Sequence, residues 1–134
     1  MESDCLDKKH ILVVDDNPNL LMTYRLILEM QGYRSSAASN AMEAREALGS
    51  YHIDLVLCDL TLGRGEDGCE VITSARSLQP NIAAALLTGH QSPKLEAWAS
   101  DNDVMLLQKP ANINVFLQAV ALLTNSPSDG RRTA

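Results

Sequence analysis

The feature that most constrains the fold is a repeated alternation of short apolar runs with longer helical patterns. Each apolar run has the length of one strand, and stretches of about ten to fifteen residues with helical periodicity lie between the runs. This order predicts consecutive βα units, which build a parallel sheet. Polar residues stand where four of the runs stop. The runs are 11–14, 55–58, 82–87 and 104–107, and the polar residues at their ends are Asp15, Asp16, Asp59, Thr88 and Lys109.

Capping residues mark the ends of five predicted βα units. Asn17 and Pro18 suit the N-cap and the first position of the first helix. Asn40 or Ser39 is expected to cap the second helix, and Gly49 is expected to stop it. The predicted strands are 10–15, 33–38, 54–59, 82–88 and 104–108, and the predicted helices are about 18–31, 40–48, 69–78, 93–100 and 113–124.

Composition and charge restrict the class of protein. The chain has 134 residues, with 46% hydrophobic and 21% charged, which suits one globular domain. A net charge of −6 argues against the basic surface that a nucleic-acid-binding domain needs. No apolar run approaches the ~20 residues that would span a membrane, and because the first ten residues are polar we expect no secretory signal. Three cysteines without a C-x-x-C pair predict free thiols and a cytoplasmic location.

The ends of the chain are expected to lie outside the domain. We predict a disordered N-terminal segment over residues 1–8, one domain over residues 9–124, and a tail or linker over residues 125–134.

Parallel strands would bring the polar residues at the run ends to one edge of the sheet. Open α/β sheets bind ligands at the carboxyl edge of their strands. A carboxylate can attack phosphorus, and Mg²⁺ prefers oxygen ligands. Three carboxylates and one ammonium leave a repulsive cluster that a divalent cation would neutralise. The pattern therefore predicts a site for a divalent cation and a phosphoryl group, although each residue taken singly also suits a helix cap or a turn.

Four segments resemble the receiver domain of the bacterial response-regulator family. They are VVDDN at 13–17, LCDL at 57–60, LTG at 87–89 and QKP at 108–110, and the resemblance spans about residues 9–123. It implies a flavodoxin-like (βα)5 three-layer sandwich with a five-stranded parallel sheet of order 2-1-3-4-5. It also implies a cis peptide bond before Pro110.

The resemblance implies a phosphorylation site centred on Asp59. Asp59 would be the phosphoacceptor, while the Thr88 hydroxyl and the Lys109 ammonium would each hold a phosphoryl oxygen. Thr61 and His90, two residues beyond Asp59 and Thr88, occupy positions that set the lifetime of the phosphate in this family.

The resemblance also implies a site for Mg²⁺ or Mn²⁺. Asp16 and Asp59 would bind the metal directly, together with the backbone carbonyl of Thr61, and Asp15 would act through bound water.

Three features depart from the family pattern. Leu106 stands at the switch position, where the family usually has an aromatic residue whose rotamer changes when the threonine moves. Gly63 replaces a proline that is common in the family. Residues 111–128 contain no charged residue, which leaves open a neutral surface, an unusual dimer or a contact with an output domain. The positions of the last helix expected to face outward are Asn112, Asn114, Gln118, Ala119 and Ala121.

The function implied is that of a two-component signalling switch. A histidine kinase or a histidine phosphotransfer protein would phosphorylate Asp59, and the phosphorylated domain would change its affinity for a downstream protein partner or output domain. A homodimer is a further candidate assembly; binding to nucleic acid or membrane is not expected. The chain would be no enzyme beyond slow autodephosphorylation. Two alternatives stay open: an interaction module of this fold with weak or lost switching, and the N-terminal receiver cut from a larger regulator or hybrid kinase.

Overall fold

The computed structural model describes residues 8–63, 65–109 and 112–125. Strands and helices alternate along this part of the chain, as the apolar runs predict. The strands are β1 (His10–Val14), β2 (Arg34–Ala38), β3 (Leu55–Asp59), β4 (Ala83–Thr88) and β5 (Met105–Gln108). The helices are α1 (Pro18–Met30), α2 (Ala41–Ser50), α3 (Gly68–Leu78), α4 (Pro93–Asp101) and α5 (Ile113–Asn125).

The five strands form one parallel sheet of order β2-β1-β3-β4-β5, which confirms the predicted topology. The chain crosses from β2 over β1 to reach β3, so the topological switch point lies between β1 and β3. Val14 pairs with Cys58, and Thr88 pairs with Gln108. This register brings the carboxyl ends of β1, β3, β4 and β5 to a common level.

The core lies on both faces of the sheet. One buried cluster joins β-strand side chains to α2, α3 and α4, and the other joins the opposite side chains to α1 and α5. Because helices cover both faces, the central strands are buried on both sides, which explains their continuous apolar runs. On the α1–α5 face, the ring of Tyr24 stacks on Phe116 with centroids 5.1 Å apart.

The N-caps of α1 and α2 are the predicted residues, but the predicted end of α2 is not the observed one. The side chains of Asn17 and Asn40 accept hydrogen bonds from first-turn N–H groups of α1 and α2. Gly49 was expected to stop α2, and this prediction is wrong, because the helix continues to Ser50 and Tyr51 closes it with extended backbone. Gly49 is exposed, with open space around its α-carbon, so only its propensity cost of about 1 kcal/mol opposes the helix there.

The outward face of α5 differs in part from its prediction. Asn112, Asn114 and Gln118 are exposed as expected, but Ala119 is only 7% exposed and packs in the core. The exposed apolar side chains of this helix, which the sequence pattern did not single out, are Ile113, Val115 and Leu122.

The remaining expectations concern residues that the structure does not describe. The cis bond before Pro110 falls there, as do the N-terminal segment apart from Lys8 and the tail apart from Asn125. Within the described ranges, no helix is both long and apolar enough to cross a membrane.

Candidate functional site

Three carboxylates converge at the carboxyl edge of β1 and β3. Asp15 and Asp16 follow β1 directly, and Asp59 is the last residue of β3, the neighbouring strand. One oxygen from each carboxylate lies within 4.8 Å of the others. Asp15 and Asp59 are buried, at 2% and 7% exposure, while Asp16 is open to solvent. The predicted cluster is therefore present, at the switch point of the sheet.

Asp15 shows most clearly that this cluster suits a cation. Its Oδ1 accepts a hydrogen bond from the Asn17 main-chain N–H at 2.9 Å, whereas its Oδ2 is buried and has no hydrogen-bond partner among the described residues. Burial raises the pKa of this carboxyl, the Asn17 hydrogen bond opposes the rise, and the charge of Asp59 adds to it. A buried oxygen without a partner is costly. A hard cation with oxygen ligands would satisfy this atom, so the donor set fits Mg²⁺ or Mn²⁺.

Lys109 brings a positive charge to the same place. Its Nζ lies 3.2 Å from Asp59 Oδ1, and the two side chains are 28% and 10% exposed. The main-chain N–H of Lys109 donates to the Thr88 carbonyl at 2.8 Å, which fixes the start of the β5–α5 connection against β4. Burial alone would lower the pKa of Lys109, but the carboxylates of Asp59 and Asp15 outweigh it and raise that pKa. The ammonium therefore stays charged beside Asp59.

Thr88 ends β4 at the same edge, but its hydroxyl is engaged within its own loop. The side chain is buried, Oγ1 donates to the His90 carbonyl at 2.7 Å, and it accepts from the His90 N–H at 3.1 Å. The structure thus places Thr88 at the predicted edge, while its contact with a phosphoryl oxygen stays a prediction.

The other predicted residues lie around the cluster. Thr61 is exposed and pairs with Asp67 in an isolated antiparallel bridge, and the His90 side chain is exposed. Leu106 is partly buried and packs against the core cluster on the α2–α3–α4 face. The roles of Thr61 and His90 in setting phosphate lifetime stay predictions.

Two glycines matter for the site in ways the sequence analysis missed. Gly68 begins α3 and lies against the main chain of Asp59, so that a β-carbon there would overlap the Asp59 carbonyl. A β-carbon on Gly63 would lie 3.1 Å from Asp16 Oδ2. The Asp-Gly pair before the third helix marks Gly68 in the sequence as a residue at a helix start. It does not show that Gly68 contacts Asp59, which lies nine positions earlier in the chain.

Tyr24 of α1 also belongs to the surroundings of the site. Burial raises the pKa of its phenol, the charge of Lys109 opposes this, and the charges of Asp15 and Asp59 add to it.

Comparison with known proteins agrees with this architecture. A family model for the response regulator receiver domain matches residues 11–121. The transcriptional regulatory protein GlrR of Escherichia coli K12 is 31% identical over 126 residues, which cover 92% of this chain and 28% of that protein. The chain thus spans less than a third of that curated relative's length.

Two solved structures share the fold at higher sequence identity. A response regulator receiver protein from Sinorhizobium medicae WSM419 superposes with a TM-score of 0.78 at 33% identity, covering 90% of this chain and 98% of that one. A response regulator protein from Burkholderia pseudomallei, solved with a phosphorylated aspartic acid, a calcium ion and citrate, gives a TM-score of 0.75 at 33% identity. The match covers 84% of this chain and 66% of that one.

Proposed function

We propose that this chain, which belongs to the response regulator receiver domain family, accepts a phosphoryl group on Asp59 from a phosphohistidine donor in a Mg²⁺-dependent reaction. The observation that carries the proposal is the position of Asp59, which clusters with the carboxylates of Asp15 and Asp16 and pairs with the ammonium of Lys109. A nucleophilic carboxylate between a metal-binding acidic cluster and a cation is suited to phosphoryl transfer.

The proposed transfer forms one bond and breaks another. An oxygen of Asp59 bonds to phosphorus as the P–N bond of the phosphohistidine breaks, and the imidazole nitrogen keeps the electron pair. Lys109 lies 3.2 Å from Asp59 Oδ1 and neutralises the negative charge that the new phosphate brings. Thr88 supplies a hydroxyl at the end of the neighbouring strand β4, once its proton leaves the His90 carbonyl.

Asp15, Asp16 and Asp59, together with the backbone carbonyl of Thr61, are the residues proposed to hold Mg²⁺ or Mn²⁺. The partnerless Oδ2 of Asp15 supports this ligand set. When bound, the metal supplies positive charge that balances the carboxylates and the transferred phosphoryl oxygens.

The proposed partners are a histidine kinase or phosphotransfer protein as donor, and a downstream protein or output domain as receiver of the signal. A homodimer is a candidate arrangement of the active form. The two described cysteines are free thiols, in keeping with a proposed cytoplasmic location. We propose no turnover of external substrates and no binding to nucleic acid or membrane.

Labelling with a small phosphodonor such as acetyl phosphate tests the proposal. The parent chain should gain one phosphoryl group in Mg²⁺, seen by intact-protein mass spectrometry, and Asp59→Asn should gain none. Asp101→Asn, which removes an exposed carboxylate on α4, is the control and should be labelled normally. Normal labelling of Asp59→Asn would refute the assignment.

An interaction module without useful switching is the second candidate, and Leu106 is the observation that favours it. A leucine in the core cluster has neither a ring nor a hydroxyl to change position when the site is phosphorylated. Beryllofluoride with Mg²⁺, which mimics the phosphoryl group, separates the two functions. A switch changes its partner affinity or oligomeric state in this reagent, whereas a pure interaction module keeps both.

A further inference from the structure

Two contacts tie the β4–α4 connection to the ends of the strands beside the site. In the first, the Thr88 hydroxyl donates to the His90 carbonyl at 2.7 Å and accepts from the His90 N–H. In the second, the Gln91 side-chain Nε2 donates to Oε1 of Gln108 at 3.1 Å. Residues 90 and 91 are adjacent, so both contacts restrain the same short segment.

The second contact joins this segment to the residue next to Lys109. Gln108 is the last residue of β5 and the register partner of Thr88 on β4. Lys109 follows it, donates its main-chain N–H to the Thr88 carbonyl, and pairs through Nζ with Asp59. The two glutamines therefore connect the loop after Thr88 to the strand end that carries the cation of the site.

The Thr88 hydroxyl has a single proton, and this limits what it can do. While it donates to the His90 carbonyl it cannot also donate to an oxygen on Asp59. Turning the proton toward a phosphoryl group leaves the His90 carbonyl without that donor and frees the backbone turn over residues 88–90. Any movement of this turn acts on Gln91, which the Gln108 amide holds in place.

We propose that Gln91 and Gln108 are positioning residues for Thr88. Their amide pair holds the β4–α4 connection in the arrangement that directs the Thr88 hydroxyl to His90, so the pair opposes its use by a phosphoryl group. This inference rests on the proposed function, because it concerns the regulation of the same site.

Leu106 provides no polar contact between β5 and the loop after Thr88. It lies two residues before Gln108, so the two side chains point to the same face of β5, and it packs into the core cluster. Its side chain has no polar atom with which to restrain the loop. In the described ranges, the Gln91–Gln108 hydrogen bond is the side-chain hydrogen bond that joins this loop to β5.

Beryllofluoride affinity of the full chain in Mg²⁺, measured by isothermal titration calorimetry, tests the inference. Gln91→Ala and Gln108→Ala each remove the hydrogen bond, and each should tighten beryllofluoride binding by about two- to tenfold. Because both variants break the same contact, the double variant should bind no more tightly than the stronger single variant. Gln118→Ala, which removes an exposed glutamine on α5, is the matched control and should bind like the parent.

A Thr88→Ala background separates positioning from a general structural effect. In that background Gln91→Ala should leave beryllofluoride affinity unchanged, since no hydroxyl remains to be released. Unchanged or weaker binding by both single variants in the parent background would overturn the inference while leaving the proposed function intact. Tightening that persists in the Thr88→Ala background would also overturn it. A parent chain that binds no beryllofluoride in Mg²⁺ would instead refute the proposed function, and this inference with it.

Discussion

Gly68 lies directly against the main chain of Asp59. Its N–H donates to the Leu60 carbonyl at 2.7 Å, and a β-carbon at this position would overlap the Asp59 carbonyl and lie 2.9 Å from Leu86 Cδ1. The first turn of α3 is thus seated on the end of β3. Since Asp59 is the last residue of that strand, the absence of a side chain at 68 helps to fix the position of the proposed phosphoacceptor.

Gly68→Ala should lower the free energy of unfolding by about 1–3 kcal/mol, because the methyl group would be forced against buried backbone that cannot move aside. Urea denaturation measures the change. Gly49→Ala on α2 is the control, since a β-carbon there meets nothing within 4 Å and alanine favours the helix. Equal stability of Gly68→Ala and the parent chain would show that α3 is not seated as described.

Gly63→Ala should weaken Mg²⁺ binding severalfold without a comparable loss of stability. The new methyl group would lie 3.1 Å from Asp16 Oδ2, which is closer than ordinary van der Waals contact, so the Asp16 carboxylate must shift. Calorimetric titration with Mg²⁺ measures the affinity, and Gly49→Ala again serves as the control. Parent-like Mg²⁺ affinity in Gly63→Ala would show that the Asp16 carboxylate can move away from the new methyl group without losing its contact with the metal.

The sequence predicts the strands, and the sheet edge at which the polar residues lie, because both depend on local patterns and parallel topology. Apolar runs of four to six residues between helical patterns predict buried strands, and parallel order then brings Asp15, Asp59, Thr88 and Lys109 to one edge. The family resemblance supplied the proposed roles of these residues, which the geometry alone does not.

What the sequence does not predict depends on rotamers and on contacts between distant segments. The apolar run before Thr88 places this residue at the end of β4 but does not say which group its hydroxyl contacts, and the structure shows that group to be the His90 carbonyl. The sequence likewise does not show that Asp15 Oδ2 is buried without a partner among the described residues, because this depends on how the neighbouring side chains pack around it. Ala119 was expected to face outward together with the amide side chains of the last helix, but it packs in the core cluster on the α1–α5 face of the sheet.

Asp15→Asn should stabilise the metal-free protein by about 1 kcal/mol and weaken Mg²⁺ binding at least tenfold. Burial and the nearby Asp59 raise the pKa of the Asp15 carboxyl, so its charged form is costly in the absence of a cation. An asparagine keeps an oxygen for the Asn17 N–H and removes the charge. Urea denaturation with and without Mg²⁺ measures both effects, and a less stable metal-free variant would contradict the account.

Mg²⁺ affinity should also fall as the pH is lowered. The raised pKa of Asp15 means that protons compete with the cation for this carboxylate at a higher pH than for an ordinary aspartate. Titrations between pH 8 and pH 5 should show this loss in the parent chain. A pH-independent affinity over that range would argue against Asp15 taking part in metal binding.

His10, at the amino end of β1, should contribute a loss of stability on mild acidification. His10 is 4% exposed, its Nε2 pairs with Ser36 Oγ at 2.7 Å, and its Nδ1 is buried with no partner in the part of the chain that the structure describes. Burial, then the charge of Arg34, lowers the pKa of His10, and the charge of Asp54 only partly opposes this. Below about pH 6.5 the unfolded chain therefore binds a proton that the folded chain resists, and the free energy of unfolding decreases as the pH falls.

Urea denaturation at pH 7.5 and pH 5.5 tests the role of His10. The Asp15→Asn background is used, because a carboxyl with a raised pKa stabilises the fold on acidification and would mask the effect. His10→Gln should flatten the pH dependence, since it keeps a polar side chain that does not titrate. His90→Gln, which replaces an exposed ring, should retain it. An equally steep dependence in His10→Gln would assign the acid sensitivity to another group.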